Sequence, residues 1–286
     1  MGVMSTSNRF YCSGSRVVDG KKIRCWKTKG HGSIDYGQGV ESSCNCVFMD
    51  SALAMGTEKF YDYLQDFGLK SKTGIDMTGE TSGLFIAENL VKTVDLARIG
   101  FGQAVAVTPI GMMSACSAVV NGGTTVYPHL VKQVVDDKGN SIDEVYTIRE
   151  SKRVIKESTS NTMRDLLERV VSNGSGKGAG VNGYSIAGKT GTAQKYENGA
   201  IAQGKYISSF LGLSLESGAP YGVLLIVDEP QGYVYYGSLV AAPLVGDIFR
   251  SVFDLLEIPP SNNLDVESSF NPDDVEEYID YVEYLE

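Results

Sequence analysis

Apolar residues recur at helical spacing over residues 38–67, where Val47, Phe48, Leu53 and Ala54 form a stripe that Phe60, Tyr61 and Leu64 extend. A short helix is predicted over 91–103, ending near Gly100, and a stronger one over 108–120. The latter has Thr108 as N-cap, Pro109 at its first position and Asn121-Gly122-Gly123 behind it. A further helix is expected over 160–172 behind Ser158 and Thr159, and an amphipathic one from Pro243 to Glu257. Strand-like runs cover Gly183–Gln194, Tyr206–Leu215 and Tyr221–Val227, and Tyr127-Pro128-His129 reads as opening another strand. Residues 9–37 read as a β-hairpin with polar surroundings, since Asp19-Gly20 lies between β-branched stretches. Helices followed by three strands and a helix predict an α+β fold with an antiparallel sheet.

Two loops and a tail complete the pattern. Residues 70–86 are rich in Gly and Thr, and Asp137-Lys138-Gly139-Asn140 is a turn. Residues 261–286 form a linker and an acidic tail, with Asn271-Pro272 opening a short acidic helix.

Charge changes the picture only at that tail. Residues 265–286 carry nine of the 35 acids and no Lys or Arg, leaving 26 acids against 25 bases elsewhere. A near-neutral body and an acidic end lack the basic footprint of a nucleic-acid binder. The longest apolar run, Tyr221–Val227, is far below the roughly 20 residues of a membrane-crossing helix. The N-terminus lacks the basic and apolar regions of a signal peptide.

The chemistry concentrates in two places. In Gly183–Gln194, Lys189-Thr190-Gly191 follows a strand-like stretch and is bordered by small residues. Such an edge offers a cation, hydroxyls for a carboxylate, and backbone N–H groups for an oxyanion. A second Lys-Thr-Gly, at 72–74, lies in a polar loop and is read as chance. Ser43-Cys44-Asn45 opens a helical stretch; Ser43 and Asn45 either cap that helix or face a substrate. Cys12 and Cys25 flank the hairpin, which would set them face to face as a disulfide or as two free thiols. Cys44 and Cys46, with no His or second Cys pair nearby in sequence, are poor metal candidates, and Cys116 reads as core. No metal or cofactor is expected. His31, Tyr127, Pro128 and His129 are read as structural.

Ser-x-Asn followed by Lys-Thr-Gly is the second and third part of a known set whose first part is Ser-x-x-Lys. With Phe10-Tyr-Cys-Ser-Gly14, Thr73-Gly-Ile-Asp76, Ile99-Gly-Phe-Gly-Gln103, Ala106-Val-Thr-Pro109, Asn121-Gly-Gly123 and Ser208-Ser-Phe-Leu-Gly212, the chain resembles the transpeptidase domain of class B penicillin-binding proteins. The resemblance covers about residues 9–257, and the hairpin is similar to that of division and spore-cortex members. It implies a five-stranded antiparallel sheet flanked by helices, with an all-helical lobe. It further implies that Ser43, Asn45 and Lys189 carry catalytic roles. Thr190, Gly191, Thr192 and Gln194 would bind substrate, with the Thr192 N–H in the oxyanion hole. The implied ligands are D-Ala-D-Ala stem peptides of peptidoglycan and β-lactams, and the implied partners are cell-wall synthesis or division proteins.

One part of the set is missing: no Ser in the 286 residues is followed three positions later by Lys. In the family that segment precedes the residues matching Phe10-Tyr-Cys. Ser5 and Ser7 lack a base at that spacing and do not inherit the role. Residues 1–260 are therefore expected to be a transpeptidase domain truncated on its N-terminal side and inactive alone. The strand near Tyr221–Val227 should show an unpaired edge. The intact protein would carry a membrane anchor and act on the extracytoplasmic face. Two other readings stand beside this one: a non-catalytic stem-peptide or partner-binding module, and a β-lactamase or β-lactam sensor, which the Gly-Phe-Gly-Gln and Ala-Val-Thr-Pro stretches disfavour.

Overall fold

The computed structural model describes residues 4–142, 149–197, 200–232 and 234–262. Its first strands are β1 (Arg9–Cys12), β2 (Ser15–Val18), β3 (Lys21–Arg24) and β4 (Gly32–Asp35). β2 and β3 are antiparallel across the Asp19-Gly20 turn, and β1 pairs with β4, setting Cys12 opposite Gly32.

The stretch expected as helical over 38–67 forms three helices: α1 (Tyr36–Glu41), α2 (Asn45–Met55) and α3 (Thr57–Asp66). Asp35 and Gln38 close a reciprocal capping box on α1. The first break falls at Ser43, whose φ of +51° is left-handed and cannot continue a right-handed helix. The second falls at Gly56. Helical periodicity alone did not reveal either break.

α4 (Thr93–Gly100) and α5 (Pro109–Val120) follow the sequence expectation, and the Thr108 hydroxyl accepts the Gly111 N–H at 3.2 Å. α6 (Glu157–Ser172) starts earlier than expected, with Lys156 rather than Ser158 or Thr159 at its N-cap. The strand expected at Tyr127–His129 does not form. There the Asp76 carboxylate accepts the N–H groups of Leu130 and Val131, both at 2.7 Å, so the segment is tied to a side chain instead of a strand.

The main sheet consists of β5 (Ile186–Glu197), β6 (Ala200–Ser214) and β7 (Gly222–Asp228), antiparallel in the order β5-β6-β7. β5 and β6 run past their expected ends as a long hairpin, with an irregularity between Gln194 and Tyr196. α7 (Gly237–Val240) and α8 (Ala242–Leu255) complete the described fold. The acidic tail helix lies outside the described residues.

The pleat gives the sheet two apolar faces. On one, Ile186, Phe210, Val223 and Leu225 pack against Ala242, Val245, Phe249 and Phe253 around α8. On the other, Ala187, Leu211, Leu213 and Leu224 meet Met112, Met113 and Val120 of α5 and Leu167 of α6. The sheet is thus held between helices. A separate core under the hairpin joins Cys12, Val18, Ile23 and Cys25 to Cys44, Cys46, Val47, Met49 and Ala97.

Candidate active site

β5 pairs on one side only among the described strands, so its other edge is free to meet a ligand. Lys189, Thr190, Gly191 and Thr192 lie along it, paired to Leu211, Phe210, Ser209 and Ser208 of β6. Gly191 and Gly237 permit a close approach here: a Cβ on Gly237 would collide with the carbonyl oxygens of Gly191 and Ser209. That contact lets the Gly237 N–H donate to the Thr192 hydroxyl at 3.0 Å, fixing the hydroxyl at the start of α7.

Ser43 stands opposite, at the turn between α1 and α2. The Lys189 ammonium donates to Ser43 Oγ at 2.6 Å and reaches Thr190 O and Oγ1 at 3.3 Å each. Phe48 of α2 places its ring 5.9 Å from the same ammonium. Part of the Lys189 side chain opens to the cleft, but its ammonium lies deep, and loss of water there lowers its pKa to about 8. Thr190 Oγ1 also meets Ser175 Oγ at 3.3 Å.

Neither Ser43 nor Asn45 caps α2. The N-cap is Cys44, without a side-chain cap bond. The Asn45 side-chain amide instead donates to Arg24 O at 3.2 Å, tying α2 to the hairpin. The left-handed turn at Ser43 is held by the Trp26 indole N–H, which donates to Ser42 O and Ser43 O at 3.0 and 3.1 Å. A constrained backbone of this kind persists where surroundings over-determine it.

Ser43, Asn45, Lys189, Thr190, Gly191, Thr192 and Gln194 all line one cleft of about 900 Å³. Sequence reasoning did not include Trp26, Ser175, Tyr206, Tyr235 and Tyr236, which line it too. Tyr206 and Tyr235 stack at 3.8 Å, and Tyr235 and Tyr236 at 4.6 Å. The run Tyr233-Val-Tyr-Tyr236 was the available sign of that aromatic wall. The other Lys-Thr-Gly lies apart from the cleft: Glu80 accepts from the Thr73 hydroxyl at 2.6 Å and from the Gly74 N–H at 3.0 Å.

Cys12 and Cys25 are free thiols, and so are Cys44 and Cys46. All four are buried, and their sulfurs lie within 4.8 Å of one another. The structure brings Cys44 and Cys46 a second pair of thiols from the hairpin, far away in sequence. His31, read as structural, faces this cluster with Nδ1 3.7 Å from Cys25 Sγ. Burial opposes charging the imidazole, but the thiols of Cys25 and Cys12 outweigh it and raise its pKa. His129 is exposed, with Nδ1 3.1 Å from Tyr127 O.

A Lys-Thr-Gly strand edge facing a Ser-x-Asn helix start, on an antiparallel sheet between helices, defines the serine acyltransferase fold shared by transpeptidases and serine β-lactamases. The family described as penicillin binding protein transpeptidase domain matches residues 1–250, and the chain belongs to it. It is 40% identical over 256 residues to stage V sporulation protein D of Bacillus subtilis, covering 90% of this chain and 40% of that protein. It is 30% identical over 222 residues to the peptidoglycan D,D-transpeptidase FtsI of Escherichia coli, covering 77% of this chain and 36% of that one. The solved structure of penicillin binding protein 3 from Mycobacterium tuberculosis, complexed with aztreonam, superposes with a TM-score of 0.79 at 26% identity, covering 93% of this chain and 61% of that one. The chain thus spans about two fifths of the length of these curated relatives.

Proposed function

We propose that this chain is the substrate-facing part of a class B peptidoglycan D,D-transpeptidase. The activity belongs to a longer protein that acts on D-Ala-D-Ala stem peptides through an acyl-serine and is acylated by β-lactams. The observation that carries this reading is the 2.6 Å contact from Lys189 to Ser43 across the cleft. It joins the two motifs from opposite walls, with Thr190 and Thr192 beside them. In this reading Lys189 supplies positive potential for the substrate carboxylate, and the hydroxyls of Thr190 and Thr192 hold it. Ser43 passes a proton between Lys189 and the reacting centre, and Asn45 orients the substrate amide. Gly191 lets the substrate backbone approach β5, and Gln194 lines the far end of the edge. The nucleophile comes from a Ser-x-x-Lys segment preceding Phe10, and residues 1–260 are the rest of that domain.

A wall-building reaction places the cleft on the extracytoplasmic face of the membrane. No helix of the described residues is long and apolar enough to cross one. Stem peptides and other wall-synthesis or division proteins are the partners this reading implies.

Intact mass spectrometry with a β-lactam tests it. The 286-residue chain should show no covalent adduct, because a nucleophile working as part of a unit is worth on the order of 10⁶ in turnover. The longer protein carrying Ser-x-x-Lys should be acylated stoichiometrically, and Lys189→Ala in it should slow acylation at least tenfold. An adduct on the chain alone, or acylation indifferent to Lys189, would overturn the reading.

A further inference from the structure

We propose that Lys22, Arg24 and Arg98 form a second carboxylate subsite at the hairpin end of the cleft, selecting stem peptides that carry a free internal carboxylate besides the C-terminal one. The subsite rests on the transpeptidase reading and sharpens it to the kind of stem peptide the cleft prefers.

Charge is the first observation. Acids outnumber bases in this chain by 35 to 25. The described residues lining the cleft invert that balance: Lys22, Arg24, Arg98 and Lys189 are among them, and no Asp or Glu is. Lys189 is engaged by Ser43 and Thr190. The other three cations come from β3 and α4. Lys22 and Arg24 alternate about the buried Ile23, so both project away from the core that holds it. Ala97 of α4 enters that same core, and the exposed Arg98 follows it in the last turn. One buried cluster thereby sets three exposed cations along one rim.

Nearby acids are committed elsewhere. Asp50 is held by Arg16, whose Nε and Nη2 donate to its two oxygens at 2.9 and 2.6 Å. Asp95 accepts the Lys92 N–H at 3.2 Å, at the opposite end of α4. Among the described residues, none pairs as an ion with Lys22, Arg24 or Arg98. The half-buried rings of Trp26 and Phe101 line the same cleft, and apolar walls concentrate the field of unpaired charges. A guanidinium meets a carboxylate through two charge-assisted N–H bonds, which a neutral carboxamide cannot match. The Asn45 amide donates to Arg24 O, so the subsite is tied to the wall that orients the substrate.

Two synthetic stem pentapeptides ending in D-Ala-D-Ala test this, one with its internal carboxylates free and one with them amidated. Each competes with a fluorescent β-lactam for acylation of the longer protein that carries Ser-x-x-Lys. Wild type should favour the free carboxylates by about tenfold. Added salt should shrink that preference, because exposed charges are screened. The double variant Arg24→Gln/Arg98→Gln should bring the ratio near one, whereas Arg24→Lys/Arg98→Lys should keep part of it. A longer protein that the β-lactam does not acylate would overturn the transpeptidase reading itself. Acylation with equal competition by the two peptides would overturn the subsite alone, and so would a preference that survives the glutamine variant. If circular dichroism shows that variant unfolded, the salt titration decides: a preference indifferent to salt sinks the subsite.

Discussion

The residue that organises the cleft is Lys189. Burial lowers its pKa to about 8 from an ordinary 10.5. Between those values the folded protein holds fewer protons than the unfolded chain, so this group makes stability rise with pH across that window. Its effect on a carboxylate ligand has the opposite sign. Below pH 8 the ammonium is charged and attracts the ligand; above it the attraction is lost. We therefore expect the affinity of the chain for D-Ala-D-Ala, measured by calorimetry, to fall by up to about tenfold per pH unit above 8. The same titration with Lys189→Ala should be flat. The sequence made Lys189 legible because cation, hydroxyl and glycine sit on one strand. It could not show that Phe48 and Ser43 would close over the ammonium, since that enclosure comes from another part of the chain.

Among elements, the hairpin β5-β6 and the short helix α7 decide whether the strand edge is shaped correctly. α7 went unread in the sequence, because four residues show no periodicity and its role rests on a backbone contact. Replacing Gly237 by Ala puts a methyl group against the carbonyl oxygens of Gly191 and Ser209, neither of which can swing aside. We expect Gly237→Ala to cost about 1–3 kcal/mol, read as a lower urea midpoint. It should also weaken D-Ala-D-Ala binding, because the Thr192 hydroxyl loses its anchoring N–H. A midpoint within error of wild type would contradict this picture of the edge. The break at Ser43 teaches the complementary lesson. Hydrophobic spacing carried straight through residues 38–67, but the backbone there is bent by Trp26 and by packing that no local pattern encodes. α5, by contrast, was readable to both ends because Thr108, Pro109 and Asn121 mark it locally.

Taken whole, the described sheet ends at β7, which pairs with β6 alone. Ile226 on that strand is 44% exposed. An open apolar edge is a template for another strand. The 286-residue chain should therefore self-associate with rising concentration in sedimentation velocity runs, and Ile226→Lys should shift it toward monomer. A wild-type chain that stays monomeric at every concentration would show that this edge is covered by something else.

The molecule also contains a single tryptophan, Trp26. Its indole spans the hairpin and the carbonyls of Ser42 and Ser43, and it lines the cleft. Its fluorescence is therefore a native optical gauge of the turn that presents Ser43, with no competing signal from any other indole. Ligand entry, or any loosening of the hairpin, should register as a change in emission wavelength or quenching, allowing binding at this cleft to be followed in unlabelled protein.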